Sequence, residues 1–292
     1  MKKIGVVGVP GGWSSEKLTK ALEELTGFRC LIDLSKVHCD LDSGRAYLGE
    51  AELTRLDGLV VKKIGPAYSP GLLDRLELLR FIAHRGVRVF SSPASMLRVL
   101  NRLSCTVRLW SGGVPMPPTV ITSDPGRAAQ AVEKFGRAVL KPLYTSKARG
   151  MVVIEPGLTL REEIENYQAS GNEIIYVQQM IDLPGRDLGL VFLGGRYLAT
   201  YARIGKKGAW NTTTSLGGRY EAYDPDPSII DLAYHAQKIF ELDFTCVDVA
   251  ETKQGPMVFE VSAFGGFRGL MEGCGIDAAR AYAEYVLTEL NK

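Results

Sequence analysis

Residues 244–262 read FTCVDVAETKQGPMVFEVS, two apolar runs on either side of a polar turn. The first run carries Asp248 and the second carries Glu260, each next to a valine. Because the turn contains a glycine, we expect a β-hairpin that places the two carboxylates side by side. A carboxylate within an apolar strand is costly unless a partner compensates it, and Mg²⁺ is one such partner. Strand alternation gives the other interpretation, in which both acids face solvent.

Lys141 is the second candidate, because it ends the apolar run 138–140 and precedes Pro142 and the polar segment 143–150. A lysine in this position can contact nucleotide phosphates as a point charge, and the following turn can close over them with backbone N–H groups. A solvent-exposed lysine at a strand end is the commoner alternative.

The N-terminal segment, residues 1–95, alternates short apolar strands with amphipathic helices. This order predicts βαβ units and a small doubly wound α/β domain with a parallel sheet. The turn from Gly8 to Gly12 lacks the Gly-x-Gly-x-x-Gly fingerprint, which argues against a dinucleotide site there.

The rest of the chain predicts an α+β arrangement, which we divide into a lobe at 96–182 and a C-terminal lobe at 183–292. Helices are predicted at 160–169, 229–240 and 276–290. Strands are predicted at 151–154, 174–178, 191–199, 244–249 and 257–261.

Composition excludes several classes of protein. The chain is 46% hydrophobic and 23% charged with a net charge of +2, so no basic excess points to nucleic acid or an acidic membrane. The five cysteines are scattered without a CxxC pair, which argues against a disulfide framework or zinc site and favours the cytoplasm. The apolar N-terminal run is too short to cross a membrane.

Beyond these separate signals, their order along the chain resembles the ATP-grasp superfamily. Over nearly its full length the sequence is similar to RimK-type carboxylate–amine ligases, and its 141–151 segment is most like the GAK-system ATP-grasp proteins. The resembling stretches are Val139–Leu143, Tyr176–Ile181, Gly185–Asp187, Gly217–Gly218, Leu242–Phe244, Val247–Asp248, Gly255–Val261, Gly265–Phe267 and Gly275–Asp277.

The resemblance implies a fold and a reaction. The fold is α/β plus α+β, with a Rossmann-like pre-ATP-grasp domain followed by two α+β lobes that clamp ATP. The reaction uses ATP with Mg²⁺, or Mn²⁺, to activate a carboxylate as an acyl phosphate, which an amine then attacks. The acceptor would be a metabolite, a peptide or a protein tail, and the enzyme a homodimer or homotetramer.

The resemblance also implies individual roles. Phosphate contacts fall to Arg102, Lys141, Ser146 and Lys147. The hinge that reads adenine comprises Gln178, Gln179, Met180 and Ile181. Asp187 would hold the ribose, and Asn211 would lie at the nucleotide. Arg203 and Lys141 would act in catalysis. The metal ligands would be Asp248, Glu260 and Ser262.

Several positions depart from the family pattern. Ser262 replaces an asparagine, Asn211 an arginine and Gln179 an acid, Gly189 lacks an expected basic side chain, and the phosphate loop is poor in glycine. These changes motivate an alternative function, that of a catalytically weakened nucleotide-binding regulator. Trp210 and the run Thr212–Thr214 are expected to line an acceptor pocket or to form a lid.

Overall fold

The computed structural model describes residues 1–206, 210–212 and 217–292, and its N-terminal part forms two sheets. In chain order the elements are β1 (Ile4–Val7), α1 (Trp13–Thr26), β2 (Leu31–Ile32), β3 (Val37–Asp40), β4 (Arg45–Leu48), β5 (Ala51–Glu52), β6 (Gly58–Val61), α2 (Gly71–His84) and β7 (Arg88–Phe90). The predicted parallel sheet is present in the order β2-β1-β6-β7. The small antiparallel sheet β3-β4-β5 was not predicted.

The middle of the chain forms an antiparallel sheet flanked by helices. Its elements are α3 (Pro93–Leu100), α4 (Arg102–Ser111), β8 (Thr119–Thr122), α5 (Pro125–Phe135), β9 (Ala138–Leu140), β10 (Val152–Ile154), α6 (Leu160–Ala169) and β11 (Ile175–Gln179). The strand order is β10-β9-β11-β8. Asp124 begins α5 by accepting hydrogen bonds from the backbone N–H groups of Gly126 and Arg127.

The C-terminal part contains a five-stranded antiparallel sheet in the order β14-β13-β12-β15-β16. Its elements are β12 (Arg186–Leu193), β13 (Arg196–Ile204), β14 (Arg219–Ala222), α7 (Pro227–Lys238), β15 (Phe244–Thr252), β16 (Gly255–Ser262), α8 (Phe267–Cys274) and α9 (Ala278–Leu290). The single strand predicted at 191–199 is wrong. Gly194 and Gly195 both have positive φ (56° and 73°) and turn the chain between two strands, as a tight hairpin requires.

The hydrophobic core links the two ends of the chain. Leu18 and Leu22 of α1 belong to the same buried cluster as Ala283 and Val286 of α9. The middle sheet packs instead on α5 and α6 through a separate cluster. Within the described residues, no helix combines the length and the apolar character that a membrane span requires. The limits chosen for the three domains stay a prediction.

Candidate functional site

The two acidic strands form the predicted hairpin. Asp248 of β15 lies directly opposite Glu260 of β16, next to a register shift at which Phe259 is the extra residue. The side chains are 22% and 40% exposed, so Asp248 is largely enclosed, and both border a cleft. The interpretation that both acids face solvent is therefore wrong for Asp248, whereas Glu260 is partly exposed. Ser262 lies opposite Cys246 on the same face of the sheet, and its hydroxyl accepts a hydrogen bond from the Phe264 N–H at 3.3 Å.

Asp248 is enclosed, and burial shifts the balance of its carboxyl towards the neutral form. Burial raises the pKa of its carboxyl to about 6; the carboxylates of Asp187 and Glu260 add to this, while Arg203 opposes it. The Arg203 Nη2 lies 3.0 Å from the Asp248 Oδ1.

Arg203 of β13 pairs with Asp187, its cross-strand neighbour on β12. The Arg203 Nε lies 3.1 Å from each carboxylate oxygen of Asp187, and its Nη2 makes a still closer contact. Burial lowers the pKa of Arg203, but Asp187 and Asp248 outweigh it and hold that pKa well above the ordinary value. The structure thus joins the residue expected at the ribose to the residue expected at the transferring phosphoryl group.

Lys141 is buried and not a solvent-exposed strand end. Its Nζ donates to the side-chain oxygen of Gln178, whose Nε2 donates to the hydroxyls of Thr119 and Tyr176 at 3.0 and 3.3 Å. Burial, and after it the charge of Arg102, lowers the pKa of Lys141 to about 7, while Glu260 acts in the opposite sense. Sequence reasoning missed this partner, because it assigned Gln178 to the adenine hinge.

The other hinge residues lie at the end of β11 and directly after it. Gln179, Met180 and Ile181 all border the cleft. The backbone N–H groups of Gln179 and Met180 donate to the Pro118 and Arg137 carbonyl oxygens. Because these two N–H groups are already used, a base would be bound by the carbonyl oxygens of Gln179 and Met180 or by the backbone of Ile181.

Arg102, the first residue of α4, contacts both the middle sheet region, at Pro142, and the C-terminal sheet, at Glu260. Its side chain is only 7% exposed, and its Nη1 lies 3.5 Å from the Glu260 Oε2. Its Nε donates to the Pro142 carbonyl at 3.2 Å, and its backbone N–H donates to the Leu143 carbonyl. Arg102 therefore holds the start of the phosphate loop close to the acidic hairpin.

The structure does not bring Ser146 and Lys147 to the cleft; from their loop, Ala148 and Met151 line it. The Ser146 carbonyl and hydroxyl accept hydrogen bonds from the guanidinium of Arg149. Lys147 and Ala148 adopt positive φ angles (59° and 55°), so non-glycine residues make the turn for which the family uses glycine.

Tyr201 explains the missing basic residue at Gly189. A Cβ at Gly189 would lie 2.4 Å from the Tyr201 ring, so a side chain there has no room. The same ring would meet a Cβ at Gly269 of α8 at 2.4 Å. The Tyr201 hydroxyl lies 3.3 Å from the Cys246 Sγ, two residues from Asp248.

Two lysines that follow β6 were also missed. Lys62 is 2% exposed, and its Nζ donates to the Phe264 carbonyl at 2.7 Å and lies 3.8 Å from the Phe267 ring centroid. Burial lowers the pKa of Lys62 to about 7. The sequence signal was a pair of lysines at the end of an apolar strand, Gly58–Val61.

A cleft between the middle and C-terminal sheets collects most of the predicted residues. It measures about 780 Å³, counting the part open to solvent. Trp210 and Thr212 also line it, whereas Thr213 and Thr214 lie outside the described residues. Of the predicted residues, those at its wall are Arg102, Lys141, Gln178, Gln179, Met180, Ile181, Asp187, Asn211, Asp248 and Glu260.

The acidic hairpin fits a magnesium ion that substrate phosphates help to coordinate. Among the residues that the structure describes, no group of three or more His, Cys, Asp and Glu side chains could hold a metal alone. Mg²⁺ is commonly bound by one or two carboxylates together with phosphate oxygens. Asp248 and Glu260 provide the two carboxylates of such a set.

Comparison with known proteins places the chain in a family. The model of the RimK-like ATP-grasp domain matches residues 99–286. The tetrahydromethanopterin:alpha-L-glutamate ligase of Methanosarcina acetivorans is 26% identical, over 98% of this chain and 99% of the relative.

Solved structures agree on the fold. The ATP-grasp ligase PsnB, complexed with a precursor variant, Mg and ADP, superposes with a TM-score of 0.78 at 18% identity, over 99% of both chains. A RimK domain ATP-grasp protein from Sphaerobacter thermophilus gives a TM-score of 0.75 at 22% identity, over 97% of this chain and 98% of that one. The chain therefore belongs to the RimK-like ATP-grasp family of ATP-dependent carboxylate–amine ligases.

Proposed function

We propose that this enzyme uses Mg-ATP to join the α-amino group of L-glutamate to the carboxylate of an acidic metabolite or peptide. The observation that carries the proposal is that the Asp248–Glu260 pair and the buried cation Lys141 line the same cleft. The choice of glutamate is supported by the M. acetivorans relative and by a probable alpha-L-glutamate ligase from Methanococcoides burtonii, 26% identical over 94% of this chain.

The proposed reaction has two steps. An oxygen of the substrate carboxylate attacks the γ-phosphorus of ATP, the bond to the β-phosphate oxygen breaks, and ADP leaves with that electron pair. The glutamate ammonium loses a proton and its nitrogen then attacks the acyl carbon. The bond from that carbon to the phosphate oxygen breaks, phosphate departs with the electron pair, and loss of a second proton from the nitrogen leaves the amide.

In this proposal the protein contributes charge and position. Lys141 and Arg102 bind phosphate oxygens, and the hinge 179–181 holds the base. Asp248 and Glu260 hold Mg²⁺, with Ser262 beside them on the same face. The bound ion supplies neutralisation of the phosphate charge, which is the main catalytic need in phosphoryl transfer. Arg203, which contacts Asp187 and Asp248, would stabilise negative charge on the transferring phosphoryl group.

The test is ADP formation with Mg-ATP, L-glutamate and a panel of carboxylic acids. We expect one class of acid to stimulate ADP release with L-glutamate and not with D-glutamate. Glu260→Gln should reduce turnover by roughly 10²–10³-fold, the loss seen for one transition-state contact. If Glu260→Gln kept full ADP production, the metal assignment would be wrong.

The same assay separates the ligase from the weakened regulator. A regulator would bind Mg-ATP, seen as a rise in melting temperature, without ADP release stimulated by any acid in the panel. The cytoplasmic location and the dimeric or tetrameric assembly stay predictions.

A further inference from the structure

The chain leaves the acidic hairpin through a tight turn, residues 263–266, which joins β16 to α8. Gly266 has a φ of 91°. A Cβ at Gly265 would lie 3.1 Å from the Cβ of Cys246 and 3.3 Å from the hydroxyl oxygen of Ser262. The turn therefore packs directly against β15 and against the third candidate metal ligand.

Hydrogen bonds hold Ser262 and this turn in place. The Ser262 hydroxyl accepts from the Phe264 N–H at 3.3 Å, and the Ser262 carbonyl accepts from the Thr245 hydroxyl at 3.0 Å. The Phe264 carbonyl accepts from the Nζ of Lys62 at 2.7 Å. Phe264 therefore connects Lys62 to the Ser262 hydroxyl, because a shift of its backbone would move the donor on which that hydroxyl depends.

Lys62 reaches the turn from the N-terminal sheet. It follows β6 directly, and its backbone N–H donates to the Val7 carbonyl at the end of β1 at 2.8 Å. The residue is 2% exposed, and its Nζ lies 3.8 Å from the Phe267 ring centroid and 5.7 Å from that of Phe244. These two rings belong to the first residues of α8 and β15. Lys62 is thus held at its backbone by one sheet and at its ammonium by the elements that flank the turn.

Packing alone does not require a charged side chain in this space. Removal of an ammonium from water is costly unless other contacts compensate it, and here the contacts are one carbonyl and the faces of two rings. A methionine has a similar length and would pack against the rings without that cost. What methionine lacks is the donor to the Phe264 carbonyl, so the two side chains differ chiefly in how they hold the turn.

We propose that Lys62 is a positioning residue for the metal and that, through Phe264, it holds the Ser262 hydroxyl beside Asp248 and Glu260. The inference rests on the proposed assignment of these three ligands. It adds a residue of the N-terminal sheet that itself contacts neither the metal nor the substrate. Groups that orient a metal ligand tune the affinity for the ion, and their loss commonly reduces that affinity by roughly 10–100-fold.

The test measures binding of AMPPNP, a non-hydrolysable ATP analogue, to the full-length chain, once with excess Mg²⁺ and once with EDTA. Lys62→Met should weaken binding about tenfold with Mg²⁺ and leave binding with EDTA unchanged. A purely structural role would change the melting temperature without separating the two conditions. Lys62→Arg keeps the charge and the N–H donors, so it should restore most of the Mg-dependent affinity.

Lys17→Met is the matched control. Lys17 of α1 also connects the N-terminal part of the chain to α8, since its Nζ lies 3.4 Å from the Met271 Sδ and 5.4 Å from the Trp13 ring centroid. It contacts the helix one turn beyond Phe267, away from the turn that follows β16. It should change neither affinity. Melting temperatures establish that each variant is folded, and Lys62→Leu repeats the test if Lys62→Met does not fold.

A double-mutant cycle tests the route through Ser262. If Lys62 acts on the metal through this hydroxyl, Lys62→Met in the Ser262→Ala background should cost little further Mg-dependent affinity, so the two losses are not additive. Additive losses overturn the inference, as does an equal loss with Mg²⁺ and with EDTA, or a Lys62→Met variant that binds Mg-AMPPNP as wild type does. If wild type binds AMPPNP no more tightly with Mg²⁺ than with EDTA, the proposed metal site fails and the inference fails with it.

Discussion

Lys141 and Arg203 are buried cations on the two sheets that face each other across the cleft, and their partners differ in charge. Lys141 donates to the neutral amide of Gln178, and its pKa is lowered to about 7. Arg203 lies between the carboxylates of Asp187 and Asp248, and its pKa is raised well above the ordinary value. Lys141 hydrogen-bonds to a neutral amide and feels the charge of Glu260 only from a distance, whereas Arg203 contacts two carboxylates.

The difference indicates which cation an incoming polyanion can engage directly. A phosphate near Lys141 meets a charge that burial has made costly and that forms no ion pair with an acid among the described residues, so the interaction is strong. A phosphate near Arg203 must first compete with two carboxylates. We therefore expect Lys141 to serve binding and Arg203 to serve both the folded state and the later transition state.

The largest effect should come from Arg203→Met. This change leaves Asp187 and Asp248 close together and unpaired at 15% and 22% exposure, which should cost about 3 kcal/mol of unfolding free energy. Turnover should fall by about 10²–10³-fold as well. Urea unfolding and ADP formation measure the two effects.

Arg203→Lys is the control, because it keeps one positive charge between the acids but loses the planar, two-pronged contact. It should recover most of the stability and little of the turnover. Unchanged stability in Arg203→Met would show that the two carboxylates do not depend on the arginine.

Lys141→Met should lose turnover to a similar extent, yet its effect on stability should depend on pH. The pKa of Lys141 is about 7 in the folded protein against 10.5 for the free side chain, so the folded state disfavours the charged form. That penalty is fully present below pH 7 and disappears as the pH rises towards 10.5. The variant should therefore gain stability relative to wild type at pH 6.

Between pH 7 and pH 10.5 the gain in unfolding free energy of Lys141→Met over wild type should shrink by about 1.4 kcal/mol per pH unit. Urea unfolding of both proteins at pH 6, 8 and 9 measures the trend, and the titration of Lys62, common to both proteins, cancels in the difference. A pH-independent difference would mean that Lys141 keeps an ordinary pKa.

The smallest change should come from Gln178→Glu, which gives Lys141 the kind of partner that Arg203 has. The new carboxylate should raise the pKa of Lys141 and occupy its charge, so Mg-ATP should bind about tenfold more weakly. Gln179→Glu is the control with the same change of charge one residue along, and it should weaken binding less. Equal losses in both variants would assign the effect to net charge instead of to Lys141.

The acidic hairpin was predictable because its information is local. Strand periodicity and a glycine turn fix how residues 244–262 fold back, and the structure confirms Asp248 opposite Glu260. The order of motifs then indicated the family and the fold.

The partners of the buried cations were not predictable, because they come from distant parts of the chain. Gln178 lies 37 residues from Lys141, and their contact depends on the register of β9 against β11. Lys62 is buried by a loop 202 residues away. The sequence around a lysine that follows an apolar strand is the same whether its side chain is exposed to solvent or buried by a distant part of the chain.

The Tyr201 ring, enclosed between Gly189 and Gly269, has a consequence for how this branch of the family can evolve. A basic side chain cannot be introduced at position 189 by a single substitution, because the Tyr201 ring already occupies the space. Residue 201 must first become smaller, and that step removes the packing that holds α8 against the sheet beside the acidic hairpin. Positions 189, 201 and 269 thus constrain one another, because a larger residue at 189 or 269 requires a smaller one at 201.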